Sequence, residues 1–326
     1  MRSATYNDFG KPAEVLSLND SPTPEPGTNE VRIKTILSPI HNHDLITIQG
    51  NYGNKPKLPA IGGSEAVGTI DALGKDVDSL EVGQRVVVSG VQGTWAEYFT
   101  APAKTAFAIP EAIDDEMAAQ LIAMPISALM LIEFLKIEPG QWIIQNAANG
   151  AVGESLAMLA AERNINTINL VRSEESRGEL TELGITKNNV VTEDDDWKDQ
   201  VRTIIGDEKI SGAVDAVGGK SGGDLLSLLG KGDTMASLGA MSGEPLTLNT
   251  TNLIFKLTKV EGFWASDLMQ EMSADNMARL IKELIERAAS GKLKLPTGGI
   301  YKLDDIKKSV SDDVQSDKKG KVLLKP

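Results

Sequence analysis

The chain has 326 residues and no cysteine, and its 46 acidic against 33 basic residues give a formal net charge of −13. That length suits two domains with separate cores. The missing cysteines exclude disulfides and thiolate chemistry, and the acidic balance argues against a nucleic-acid or anionic-membrane surface. The start, Met1 to Asp8, lacks the apolar core of a signal peptide, and no apolar run reaches the roughly 18 residues of a membrane span. A cytoplasmic protein is expected.

The N-terminal third reads as strands and turns. Pro22, Pro24, Pro26 and Gly27 make a surface turn before Val31 to Leu37, which alternates apolar with polar residues as a half-buried strand does. Gly62, Gly63, Gly68, Gly74, Gly83 and Gly90 punctuate short β runs such as Arg85 to Val88, so a mostly β domain is expected here. His41 and His43 fall in a loop after the first strand, with Asp44 and Glu65 the nearest carboxylates. Zinc would need both histidines plus carboxylates, a thin donor set, and a polar loop pair is the commoner explanation. No metal site is expected. No G-x-S-x-G elbow is present for serine catalysis.

The style changes near Pro110. Asp114-Asp115-Glu116 place carboxylates at a helix start, and an apolar helix pattern follows through Leu135, interrupted by Pro125. Trp142-Ile143-Ile144 then reads as a strand buried on both faces. Ala147, Gly150 and Gly153 have the spacing A-x-x-G-x-x-G; an alanine-rich helix from Glu154 to Arg163 and a strand over 167–171 come next. Small residues at that turn let backbone amides approach a pyrophosphate, whose charge sits at the positive helix N-terminus. At the end of the second strand an NAD site usually carries an acidic residue for the ribose hydroxyls. Here Arg172 and Ser173 stand there, a guanidinium and a hydroxyl suited to a 2′-phosphate. Glu174 and Glu175 follow, so the pocket is not uniformly basic.

Strand-like runs at 189–192, 213–217, 234–238 and 260–264 alternate with helix-like runs, the mark of a doubly wound parallel sheet. Ser273 to Ala289 is a further amphipathic helix. Gly299 to Tyr301 and Lys321 to Leu324 return to β patterning and are expected to rejoin the first domain. Asp194-Asp195-Asp196 and Asp312-Asp313 read as solvated loops or caps.

Seven ordered segments carry a family resemblance: 48–53 (Ile-Gln-Gly-Asn-Tyr-Gly), 58–65, Gly93-Thr94-Trp95, 144–147, 167–172, 217–221 and Gly262-Phe263-Trp264. Along nearly its whole length the chain resembles the zinc-free medium-chain dehydrogenase/reductase superfamily. Within it, the chain looks most like the mitochondrial-type 2-enoyl thioester reductases and quinone oxidoreductase-like proteins. The resemblance implies an α/β fold: a GroES-like, mostly β catalytic domain over 1–112 and 266–326, and a Rossmann-type nucleotide-binding domain over 113–265. It implies Tyr52 as the catalytic acid. Cofactor contacts map onto Asn149, Gly150, Ala151, Val152 and Gly153, onto Arg172 and Ser173, and onto Leu238, Gly239, Ala240 and Met241. Others map onto Phe263, Trp264 and Ala265, and a family lysine corresponds to Lys321. Zinc-dependent members place ligands at positions matching His41, Ser64 and Met124. Ser64 and Met124 cannot replace them. The enoyl reductases tend to have Asn where Met124 stands, and their second basic residue after the second strand is Glu174 here. The superfamily's smaller members are often edge-to-edge dimers, for which the runs at 234–238 and near Val260 are the candidate edges.

The function these readings lead to is NADPH-dependent hydride transfer to the β-carbon of an α,β-unsaturated carbonyl, a 2-enoyl thioester in the first instance. NADPH:quinone or alkenal reduction on the same scaffold is the alternative. A protein that binds NADPH without turnover is the alternative of another class.

Overall fold

The computed structural model describes residues 1–194, 196–313 and 319–326; Asp195 of the first acidic cluster lies outside them. In chain order the chain folds as β1 (Arg2–Tyr6), α1 (Pro12–Val15), β2 (Ser17–Asp20), β3 (Glu30–Pro39), α2 (Asn42–Ile48), β4 (Ala60–Ile61), β5 (Glu65–Leu73), β6 (Arg85–Ser89), β7 (Tyr98–Pro102) and β8 (Ala106–Ala108). There follow α3 (Asp115–Ala119), α4 (Ala123–Phe134), β9 (Trp142–Gln145), α5 (Ala151–Glu162), β10 (Asn166–Val171), α6 (Glu174–Glu182), β11 (Val190–Thr192), α7 (Trp197–Ile205), β12 (Ile210–Asp215) and α8 (Gly219–Leu228). The remainder is β13 (Leu229–Ser237), α9 (Thr250–Phe255), β14 (Lys259–Gly262), α10 (Ala265–Glu271), α11 (Ala274–Ala289), β15 (Thr297–Lys302), α12 (Ile306–Asp313) and β16 (Lys321–Lys325).

The chain forms two compact units, Met1–Ala123 with Leu295–Pro326, and Met124–Lys294. The first is mostly β. Its larger sheet runs β15-β16-β3-β5-β6-β8, with β7 also on β3, and its smaller one β2-β1-β4. The tail therefore does return to the first unit, where Leu323 and Leu324 pair with Pro39 and Ser38. The alternation read in β3 is real: Val31 and Ile33 are fully buried with Ala66, Ile70, Val86, Val88 and Phe99. Gly68 opposes Thr35, and a side chain there would run into Ile33 and the Lys34 carbonyl, which is why that site takes glycine.

The second unit holds a six-stranded parallel sheet, ordered β11-β10-β9-β12-β13-β14. Ile144, Ile168, Leu170 and Ala213 are wholly buried at its centre, as strands covered on both faces require. Strand order reverses between β9 and β12, where an open α/β sheet leaves a crevice at the carboxyl ends of its strands. Among the two expected edges only β14 is one; β13, which carries Thr234 to Ser237, is covered on both sides by β12 and β14. Both strands were legible in sequence, but not that β14 pairs alongside β13 and so covers it.

The boundaries of the units lie at 123/124 and 294/295, beyond the expected 112/113 and 265/266. Ion pairs hold α11 in the second unit: Arg163 with Glu283 at 2.7 Å, Arg279 with Glu133 at 2.8 Å and Arg287 with Glu162 at 2.9 Å. Leu280, Ile281 and Leu284 bury its apolar face. The long helix expected from Asp114 to Leu135 is two helices with a break over 120–122. Pro125 sits in the first turn of α4, where a missing amide hydrogen removes no intrahelical bond. Among the described residues no helix is long and apolar enough to cross a membrane.

Candidate active site

On the second unit the predicted cofactor residues gather at one edge of the parallel sheet, because each group follows the carboxyl end of a strand. Asn149 to Gly153 follow β9, Arg172 and Ser173 follow β10, Leu238 to Met241 follow β13, and Phe263 to Ala265 follow β14. The turn after β9 is tight. Ala147 takes a φ of 47°, and the Gly150 amide closes on the Ala147 carbonyl at 2.9 Å. Gly150 then caps α5 without a side-chain hydrogen bond, so the first amides of the helix keep their outward-facing hydrogens. A Cβ on Gly153 would stand 2.6 Å from the Ala148 carbonyl oxygen, and one on Gly239 2.6 Å from that of Ala216. Both glycines therefore allow backbone to approach where a side chain would block it.

The adenosine end is built from the start of α6. Ser173 accepts the Ser176 amide at 3.2 Å, and Asn149 reaches the Ser176 hydroxyl at 3.1 Å, joining the two loops. Arg172 is exposed and makes no hydrogen bond or ion pair among the described residues. Glu174, which occupies the position of a second basic residue, is already engaged: Thr192 donates to it at 2.8 Å and Arg177 pairs with it at 2.9 Å. Sequence reading missed Arg177, which lies one helical turn beyond Ser173. The signal was the i,i+3 spacing of Glu174 and Arg177.

A second feature missed from sequence fixes the switch point. The buried Asp215 carboxylate, at the end of β12, accepts the Asn146 side-chain amide at 2.7 Å and the Val217 and Gly218 amides at 3.0 and 2.9 Å. Asn146 in turn accepts the Ala216 amide at 2.8 Å and donates to Ser221 at 3.1 Å. Ser221 donates to Glu193, whose carboxyl burial raises above its usual range. A polar residue closing each of two apolar runs was the available clue. Phe263 is buried edge-on against Phe134 at 5.5 Å, which anchors the loop carrying Trp264 and Ala265. These uncapped amides, glycine cradles and an exposed guanidinium without a hydrogen bond or ion pair among the described residues fit a dinucleotide bearing an extra phosphate.

The first unit carries the other predicted residues, Tyr52 and Lys321, together with a polar cluster. His41 caps α2 and is wholly buried; its Nε2 lies 2.6 Å from Glu65 Oε2, also wholly buried. The other Glu65 oxygen accepts the amides of Ile122 and Ala123 at 2.7 and 2.9 Å. Burial pushes the Glu65 carboxyl up to about 7, against the pull of those two amides. Burial, followed by the electrostatic influence of His43 and Lys321, holds the His41 imidazole well below its ordinary range and hence neutral. Lys321, at the start of β16 on the first unit, thus places its charge beside this pair. His43 stacks on His41 at 5.0 Å, bonds Ser64 Oγ at 2.7 Å and lies 5.9 Å, ring to ring, from Tyr52. Sequence reading weighed these histidines and Glu65 as a thin zinc donor set and as a polar loop pair with nearby carboxylates, and did not pair His41 with Glu65 or His43 with Ser64.

Zinc does not fit this donor set. The Nε2 of His41 is taken up by Glu65, and Ser64 offers a neutral hydroxyl already bonded to His43. Among the described residues no three His, Cys, Asp or Glu side chains form a group that could hold a metal ion.

The family model for the alcohol dehydrogenase GroES-like domain matches residues 27–111, and that for zinc-binding dehydrogenases matches residues 151–283. The mitochondrial enoyl-(acyl-carrier-protein) reductase of Mus musculus is 34% identical over 302 residues, covering 91% of this chain and 81% of that protein. A Bacillus thuringiensis structure described as an NADPH:quinone reductase superposes with a TM-score of 0.90 at 27% identity, covering 100% and 98% of the two chains. The mitochondrial 2-enoyl thioester reductase heterodimer from Candida tropicalis superposes at 0.84 and 27% identity, covering 100% and 99%.

Proposed function

Because the chain belongs to the medium-chain dehydrogenase/reductase family that includes the mitochondrial enoyl-(acyl-carrier-protein) reductases, we propose that it is an NADPH-dependent reductase of activated carbon–carbon double bonds, with 2-enoyl thioesters as its substrate class. The observation that carries the cofactor half is the uncapped start of α5 beside Gly153, with the exposed Arg172 at the end of β10. NADPH, when bound, supplies the hydride that adds to the β-carbon. The amides of Ala151, Val152 and Gly153 hold its pyrophosphate, Asn149 and Ser173 line its ribose, and Arg172 pairs with its 2′-phosphate. Leu238 to Met241 and Phe263 to Ala265 lie along its nicotinamide half.

On the first unit Tyr52 is the proton donor to the α-carbon, and its ring neighbour His43 ties it to the buried His41–Glu65 pair. Quinone reduction is the second reading, supported by the Bacillus thuringiensis likeness; a quinone takes up hydride with less need of a positioned acid. The protein acts as a homodimer through β14, whose outer edge is unpaired among the described residues and is preceded by exposed Ile254, Phe255 and Leu257. The cysteine-free composition suits a reducing cytoplasm. NADPH oxidation followed in parallel with a 2-enoyl thioester, a quinone and an enal tests the assignment: preferential thioester turnover supports it, and quinone turnover alone moves the activity to the second reading.

A further inference from the structure

The Ser64 hydroxyl has no part in that account, yet with His43 it forms the most prepared polar device on the first unit. Ser64 leads directly into β5 and is only half-buried. The backbone that presents it is rigid. Gly63 takes a φ of 89°, a conformation that only glycine adopts readily, and any side chain there would enter Trp95 and Thr94. Trp95 is wholly buried with its indole nitrogen donating to the Pro39 carbonyl at 3.1 Å. The Gly63 carbonyl accepts the Gly93 amide at 2.9 Å, and the Ser38 hydroxyl holds the Glu65 carbonyl at 2.6 Å. Ser64 is thereby pinned from both neighbours.

The proton arrangement follows from acceptors. His43 Nε2 faces Ser64 Oγ at 2.7 Å and Asp44 Oδ1 at 3.5 Å. Asp44 Oδ1 can only accept, so the tautomer that serves both contacts carries its hydrogen on Nε2. In that tautomer His43 donates to Ser64, and Ser64 Oγ has no second hydrogen-bond partner among the described residues. Asp44 is itself fixed, since its second oxygen accepts the His41 amide at 3.0 Å. An imidazole N–H donating to a hydroxyl makes that hydroxyl a stronger donor outward.

Resting on the reductase reading above, we propose that the Ser64 hydroxyl hydrogen-bonds the carbonyl oxygen of the unsaturated substrate, with His43 as the residue that orients and polarises it. Hydride addition at the β-carbon forms a C–H bond and moves the π electrons through the α-carbon to the carbonyl oxygen. The resulting enolate oxygen is held by the Ser64 O–H; it keeps no proton. The α-carbon then takes the Tyr52 hydroxyl proton, which solvent replaces, and the C=O bond re-forms; the two electrons come from NADPH, which is oxidised to NADP+. A donor set that strengthens as the oxygen gains charge lowers the barrier and not merely the substrate's KM.

The test compares the full-length wild type with Ser64→Ala, Ser64→Thr, His43→Phe and His43→Gln, using the N-acetylcysteamine thioester of crotonic acid and NADPH. Losing one oxyanion donor costs on the order of a hundredfold in kcat. Ser64→Ala should show a loss of that size with an unchanged NADPH Kd by fluorescence titration, and Ser64→Thr should recover most of it. His43→Phe should fall roughly tenfold, with His43→Gln closer to wild type because its amide can still donate. Ser64→Ala within about twofold of an active wild type, or Ala and Thr impaired alike, overturns the proposal while leaving the reductase reading intact. A wild type that binds NADPH but reduces no enoyl thioester, enal or quinone defeats the reductase reading itself.

Discussion

Glu65 and His41 face each other at 2.6 Å with neither side chain reaching solvent, and the second Glu65 oxygen accepts the amides of Ile122, just before α4, and Ala123, its first residue. The pair has opposite linkage signs. Burial raises Glu65 to about 7 from an ordinary 4.5, so its contribution to stability is complete below 4.5 and is lost as pH rises towards 7. His41 is lowered, so the unfolded chain binds its proton first and stability is lost as pH falls below about 6.5. Glu65→Gln keeps the shape and removes only the first effect. Urea midpoints measured between pH 5 and 8 should decline with rising pH less in this variant than in the wild type; parallel curves would show that Glu65 does not titrate in that window.

Tyr52 tests the proton-transfer step. Positioned general acids contribute roughly a hundredfold to ten-thousandfold, so Tyr52→Phe should lower kcat with a 2-enoyl thioester by at least about a hundredfold while NADPH titration gives the same Kd. With a quinone as acceptor the loss should be small. An unchanged thioester kcat removes Tyr52 from the mechanism.

Arg172 decides between the two nicotinamide dinucleotides. A hydrogen bond to a charged group is worth about 1.5–3 kcal/mol, so Arg172→Ala should weaken NADPH binding roughly tenfold to a hundredfold and leave NADH binding close to its starting value. Equal losses for both cofactors would assign Arg172 a structural role.

Gly153 has no room for a side chain, since its Cβ would press on the Ala148 carbonyl at 2.6 Å. Gly153→Val should cost about 1–3 kcal/mol of stability and abolish measurable NADPH binding, because the first turn of α5 must move away from the turn that presents it. Differential scanning calorimetry and cofactor titration together check this, and a variant that folds and binds as the wild type would show that the cradle tolerates bulk.

The parallel sheet and its glycine turn were legible because periodicity and small-residue spacing are local: Ile144, Gly150 and Gly153 are neighbours in sequence as well as in space. The predicted cofactor residues at four strand ends could be gathered to one sheet edge because parallel strands all point their carboxyl ends the same way. The pairings of Asn146 with Asp215, His41 with Glu65 and His43 with Ser64 were not legible. Their members lie 69, 24 and 21 residues apart, and no local pattern marks which polar residue a fold will bury opposite another. The placing of α11 was missed for the same reason, since its amphipathic stripe announces a helix but not the Arg163, Glu133 and Glu162 partners that hold it.

The central claim is hydride delivery to carbon–carbon double bonds, and isotope tracing addresses it most directly. The wild-type protein is incubated with a 2-enoyl thioester and NADPH deuterated at the transferring position of C4, and the product is read by proton and deuterium NMR. The account predicts a saturated thioester with deuterium at the β-carbon and a solvent-derived hydrogen at the α-carbon. Deuterium at the former carbonyl carbon, or a product that retains its double bond, would contradict it.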